Sequence, residues 1–198
     1  QSLMLMMAGG AIGGGTASAV ARALGAGDQA AADAAAWHAI VIGLALAAVY
    51  MVVLGFFARP MFALFGAQDD VLDGAVAYAQ IAFGGAVSVW ALQLCFAILR
   101  GSGDTATPAR AVLGASIVQI GLSGALTLGW GPFPQLGIVG PAVAIVIAMA
   151  GGAAYMAWQL VRAGGSSNRV VRLRVHKLAW APLKSILQVG AIGLINSL

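Results

Sequence analysis

Four stretches of this chain contain no Asp, Glu, Lys or Arg: residues 1–21, 34–58, 74–99 and 111–161, which are 21, 25, 26 and 51 residues long. An α-helix rises 1.5 Å per residue, so about 20 apolar residues cross a bilayer core of roughly 30 Å. The first three windows therefore fit one crossing each. The fourth fits two, divided at Gly129-Trp130-Gly131-Pro132-Phe133-Pro134, where two prolines and two glycines oppose a continuous helix. A soluble domain carries about 25% charged residues. Here they are 8% against 61% hydrophobic, too few to clothe a water-facing surface. The spacing predicts an all-α membrane protein, a polytopic helical bundle with spans over residues 3–21, 35–58, 74–99, 109–128 and 137–161. A last apolar run begins near Pro182.

The charges sort by connection. Arg22 follows the first span, Arg100 and Arg110 flank the turn after the third, and six of the ten basic residues lie between Arg162 and Lys184. These alternate connections share one side of the membrane, and positive charge stays cytoplasmic. The opposite side has Arg59 with Asp69, Asp70 and Asp73. The net charge of +4 thus reports orientation and anionic lipid, not a nucleic-acid partner. The expected setting is multi-pass in a cell membrane, with the lipid bilayer as a partner. The chain opens at Gln1 inside one apolar run and ends at Leu198 inside another, so it is expected to be a piece of a longer protein.

The turns carry start and stop signals. Gly25 and Gly27 suit a helix end, and Asp28 can cap the next helix. Thr107-Pro108 reads as a hydroxyl N-cap followed by proline at the first helical position. Arg100 and Asp104 are topological anchors or a gating ion pair. Gly9/Gly13 and Gly10/Gly14, spaced four apart and extended by Ala17 and Ala21, form a small face for close helix packing. Phe62, Leu64 and Phe65 place an interfacial helix between Arg59 and Gly74. No enzyme constellation is present: glutamate is absent, and neither His38 nor His176 has a ligand-spaced partner. His38, beside Trp37, reads as an interfacial anchor, and Cys95 as a buried small hydrophobe. No cofactor is expected. The chemistry that remains is a stripe of Ser116, Gln119, Ser123 and Thr127, spaced +3, +4 and +4, on one face of the fourth span over about 16 Å of axis. It either holds helices together by hydrogen bonds or lines a water-filled substrate cavity.

Three segments together resemble the multidrug and toxic compound extrusion (MATE) transporters: Arg22-Ala23-Leu24-Gly25-Ala26-Gly27-Asp28, Leu99-Arg100-Gly101-Ser102-Gly103-Asp104-Thr105-Ala106-Thr107-Pro108, and Pro134-Gln135-Leu136-Gly137-Ile138-Val139-Gly140. The resemblance implies the partial N-terminal lobe of a twelve-helix transporter. Residues 1–162 would be its second to sixth helices, 163–182 a cytoplasmic basic linker, and 183–198 the start of the C-terminal lobe. It further implies a secondary active exporter of cationic or amphipathic compounds coupled to H+ or Na+, in a bacterial inner membrane. Its partners would be a small-molecule substrate and the remaining half of its own chain. The family often carries Asn, then Asp four residues on, in its fifth helix; Gln119 and Ser123 stand at the matching positions. The alternatives are a flippase for a lipid-linked substrate and a membrane subunit without transport.

Overall fold

The computed structural model describes residues 12–64, 69–130, 132–162 and 171. A π-turn at residues 12–13 leads into α1 (Gly14–Gly25), followed by α2 (Gln29–Leu64), α3 (Asp69–Gly84), α4 (Ala86–Gly101), α5 (Ala106–Leu128), a 3-10 turn (Gly137–Val139) and α6 (Gly140–Arg162). Among the described residues four stretches are long and apolar enough to cross a membrane: Gln29–Leu64, Leu72–Gly101, Ala106–Leu128 and Gly137–Arg162. The first half of the 3–21 span, the 163–182 linker except Val171, and the 183–198 run lie outside the described residues.

Two reversals with one design join α1 to α2 and α4 to α5. Gly27 and Gly103 adopt φ of +74° and +88°, a left-handed conformation that costs glycine nothing. In each reversal the glycine N–H bonds back three residues at 3.1 Å, to Leu24 and to Arg100, and the next N–H bonds back five at 2.9 Å, to Ala23 and to Leu99. This is the Schellman closure, which satisfies carbonyls that a helix end leaves open. The residue that completes it is an aspartate both times, and its carboxylate then caps the following helix. Asp28 accepts from the Ala31 N–H at 2.9 Å, and Asp104 from Ala106 and Thr107 at 3.0 and 2.9 Å. The Asp28 cap is as expected, but Thr107 is not the cap of α5. Counting from Asp104, Pro108 occupies the place held in α2 by Ala32, whose N–H makes that helix's first bond, to Asp28 O at 3.2 Å. Proline has no N–H, so α5 begins its ladder one residue later, Ala109 to Thr105 at 3.3 Å.

α4 is the hub of the bundle, packing against α1, α2 and α6. Glycines set the closest approaches. A side chain at Gly101 would meet the Ala17 carbonyl oxygen of α1 at 2.7 Å, and one at Gly152 of α6 would meet Leu92 at 2.8 Å. One at Gly43 of α2 would overlap Leu94. The small face of α1 thus makes its tightest contact through Ala17; Gly9 and Gly10 lie outside the described residues. A buried cluster joins Val20, Ala32, Ile98, Leu99 and Leu160 with Val171, which is fully buried. The helix ends bearing Arg22, Arg100 and Arg162 therefore gather at one end, as the charge pattern requires. At the other end Arg59 of α2 pairs with Asp73 of α3 at 3.1 Å, a pair about two-thirds exposed and worth little stability.

The structure corrects two span boundaries. α2 is 36 residues long and runs through Pro60 to Leu64, and α3 begins at Asp69, so among the described residues no separate helix lies between Arg59 and Gly74; Phe65 is outside them. Pro60 is exposed, which leaves the carbonyl it fails to serve within reach of water or headgroups. The third span is not one continuous helix: Gly85 interrupts it with φ −84° and ψ 3°. Consecutive glycines at 84 and 85 have low helix propensity. Gly85 is also buried against Val146 of α6, where any side chain would overlap.

Candidate functional site

The polar stripe lies on α5, a peripheral helix that packs chiefly on α6. Ala111, Ala115 and Leu126 are the buried residues of its inner face. Measured from Ala115, the four stripe positions lie about 40° to 120° round the helix. Leu113, Ile117 and Ile120, which are 65%, 71% and 75% exposed, occupy the far side. Ser116 is exposed, whereas Gln119, Ser123 and Thr127 are half-buried. The Thr127 hydroxyl donates to the Ser123 carbonyl at 2.7 Å, a local bond that commits its proton. The same oxygen lies 3.0 Å from where a side chain at Gly140 would begin, so this end of the stripe abuts the start of α6. Among the described residues Ser116, Gln119 and Ser123 make no side-chain hydrogen bond. The interhelical bonding that was one reading of the stripe is therefore not made among the described helices.

The end of α5 fixes the depth of the stripe. Gly129, at φ +73°, closes the helix with its N–H on Ala125 at 2.9 Å, and Leu136 returns to bond the Leu126 carbonyl at 2.8 Å. The break expected between residues 129 and 134 is present. At the other end, burial alone would raise the Asp104 carboxyl. The Thr107 hydroxyl, the N–H groups of Thr107 and Ala106 and the charge of Arg110 together hold it below the usual carboxylate value. Asp104 is thus spent on the α5 cap, and no ion pair to Arg100 occurs among the described residues.

Two cavities flank these helices. One, of about 490 Å³, lies between α1 and α4 and is lined by Gly13, Ala17, Gln93, Phe96 and Arg100. The other, of about 480 Å³, is a groove between α5 and α6 lined by Arg110, Gly114, Val118, Ile147, Gly151 and Tyr155. Gly114 and Val118 lie on the opposite side of Ala115 from the stripe, so stripe and groove flank the α5–α6 contact. Gln80 is exposed and Ser88 half-buried in the third span, with no line comparable to the stripe.

Sequence reasoning missed Asp33, which is buried at 6% exposure and accepts from the Gln29 amide at 3.1 Å. It also misread His38, which is buried at 1% exposure rather than anchored at the interface, with Nδ1 2.6 Å from the Ala34 carbonyl. No sequence signal marked them: the face that the structure buries, Ala32, Ala35, Ala36 and Ala39, lies within an alanine-rich run with no distinct apolar stripe. Among the described residues no three metal-ligating side chains converge.

A family model, MatE, matches residues 2–123. A curated relative, the FAD transporter of Shewanella oneidensis, is 28% identical over 192 residues, covering 94% of this chain and 42% of that protein. The fold aligns with the inward-facing conformation of a multidrug resistance MATE family transporter at a TM-score of 0.84 and 27% identity, over 96% of this chain and 42% of that one. It aligns with the outward-facing conformation of such a transporter at 0.82 and 25% identity, over 98% and 42%. The chain thus spans about 42% of the length of these relatives. A model matched over more than half of these residues, on a bundle that superposes on solved members of the group, places the chain in the MatE family of multi-pass membrane proteins.

Proposed function

We propose that this chain forms the N-terminal lobe of a secondary active exporter in a bacterial inner membrane, which moves cationic or amphipathic compounds out in exchange for H+ or Na+. One observation carries the reading: the bundle fits inward-facing and outward-facing transporters about equally, at TM-scores of 0.84 and 0.82. A lobe that keeps its shape in both states is what rigid rocking about a midplane site requires. The α5 stripe, with Ser116, Gln119 and Ser123 carrying hydrogen-bonding capacity unspent among the described helices, supplies the polar wall of the cavity. The basic stretch from Arg162 to Lys184 connects this lobe to the next.

A second reading is transport of FAD, the compound in the name of the Shewanella relative. It is favoured by a stripe whose amide and hydroxyls can bond an anion or a neutral ring without the repulsion of a carboxylate. The test is transport by the full-length protein in proteoliposomes, with a fluorescent cation and with FAD, under an imposed proton or sodium gradient. Gln119→Leu and Ser123→Leu should each reduce flux while thermal stability holds. Unchanged flux in well-folded variants removes these residues from the cavity. Flux of FAD alone decides for the second reading.

A further inference from the structure

The groove between α5 and α6 is not part of the transport reading, and its chemistry is that of a lipid. Its floor consists of small residues, Ala111, Ala115, Gly114, Gly151 and Gly152, which keep two packed helices from closing over it. Its rims continue into exposed apolar surface, Ile117 on α5 and Ile147 on α6. The groove therefore opens sideways onto an exposed apolar surface of the bundle, whereas the polar stripe looks away from it across the α5–α6 contact. Arg110 and Tyr155 lie at its cytoplasmic end, about one to two turns inside the helix termini.

The polar groups at that end suit a phosphate. Arg110 is exposed and makes no ion pair among the described residues. Asp104 feels its charge, but the Asp104 carboxylate is bonded through Oδ1 to the α5 cap. Tyr155 accepts at its hydroxyl from the Gln159 amide at 3.2 Å, so its own proton is available to donate. One turn further out, Arg162 stacks over Trp158 at 4.6 Å, an aromatic and cationic pair that marks the headgroup level. A long guanidinium such as that of Arg110 can extend along apolar wall to the same level.

We propose that this groove holds one anionic phospholipid of the cytoplasmic leaflet, with an acyl chain against Gly114 and Gly151 and its phosphate between Arg110 and Tyr155. The choice of an anionic lipid over a zwitterionic one follows from the exposed Arg110 guanidinium at the groove mouth, which makes no contact ion pair among the described residues.

The test uses full-length protein in phosphatidylcholine nanodiscs with and without phosphatidylglycerol, read by native mass spectrometry of retained lipid and by thermal unfolding. Wild type should retain phosphatidylglycerol selectively and melt higher with it. Arg110→Gln should bind it about fivefold more weakly, the loss of one cation at a lipid surface, while Arg110→Lys keeps most of the selectivity. Gly151→Leu projects into open space and fills the groove, so it should abolish retention without lowering stability in phosphatidylcholine alone. Undiminished phosphatidylglycerol binding by Arg110→Gln overturns the proposal, and so does an equal shift with inorganic phosphate. A Gly151→Leu protein destabilised without any lipid present assigns the groove to another part of the protein, and overturns it too.

Discussion

The close approach of Gly101 to the backbone of α1 sets up a graded test. At Gly101, the last residue of α4, an added methyl would lie 2.7 Å from the Ala17 carbonyl oxygen, 3.0 Å from its Cα and 3.0 Å from the Val20 Cβ. Two of these atoms are backbone, so α1 and α4 must move apart. Overpacking of this kind costs about 1–3 kcal/mol. Because Gly101 ends its helix, the gain in helix propensity recovers little of that. At Gly43 the obstacle is the buried side chain of Leu94 and not backbone, so the site can repack in part and Gly43→Ala should cost about 1 kcal/mol, the low end of that range. At Gly55, in mid-helix, the space is open and the propensity gain of up to about 1 kcal/mol is uncontested. Thermal unfolding of the full-length protein in detergent, followed by tryptophan fluorescence, should rank Gly55→Ala at or above wild type, then Gly43→Ala, then Gly101→Ala. A Gly101→Ala protein that melts with wild type would refute the packing argument, as would a Gly55→Ala protein that melts with Gly101→Ala.

Loss of the two caps should be unequal: Asp104→Ala removes acceptors from two N–H groups and should cost about 1–2 kcal/mol, and Asp28→Ala, with one, nearer 1 kcal/mol. Since the Asp104 carboxyl is held below its ordinary value, its contribution is complete above about pH 4 and disappears as pH falls through the lower folded value. Asp104→Asn should remove that acid limb from the unfolding profile. Cys95 is 5% exposed, so in folded protein it should resist a maleimide that labels it fully after denaturation in SDS; rapid labelling in the native state contradicts its place in the core.

The spans were legible because hydrocarbon imposes a pattern that charge-free windows report directly. What the windows could not report is where a helix ends in the interfacial region, since Arg59 and Pro60 are tolerated there in either state. Nor could they show that Gly85 breaks the third span, because a window without charges is blind to the low helix propensity of the Gly84-Gly85 pair within it. Both aspartate turns were visible as motifs. The assignment of the α5 cap to Thr107 rather than Asp104 failed because Pro108 fits more than one position in a first turn. The stripe was found from spacing alone. The burial of Asp33 and His38 was not, because an alanine run looks alike on every face until the partner helices are known.

The paired reversals also bear on how the chain enters a membrane. Every hydrogen bond that closes Ala23–Asp28 or Leu99–Asp104 reaches five residues or fewer, so neither corner waits for distant helices to arrive. Each corner can set the direction of its second helix as its aspartate emerges from the ribosome, before the partners of that helix are in place. Assembly then reduces to packing helices whose directions are already set, α5 against α6 and α2 against α4, and a defect in either corner would surface first as inverted insertion rather than as a loosened fold.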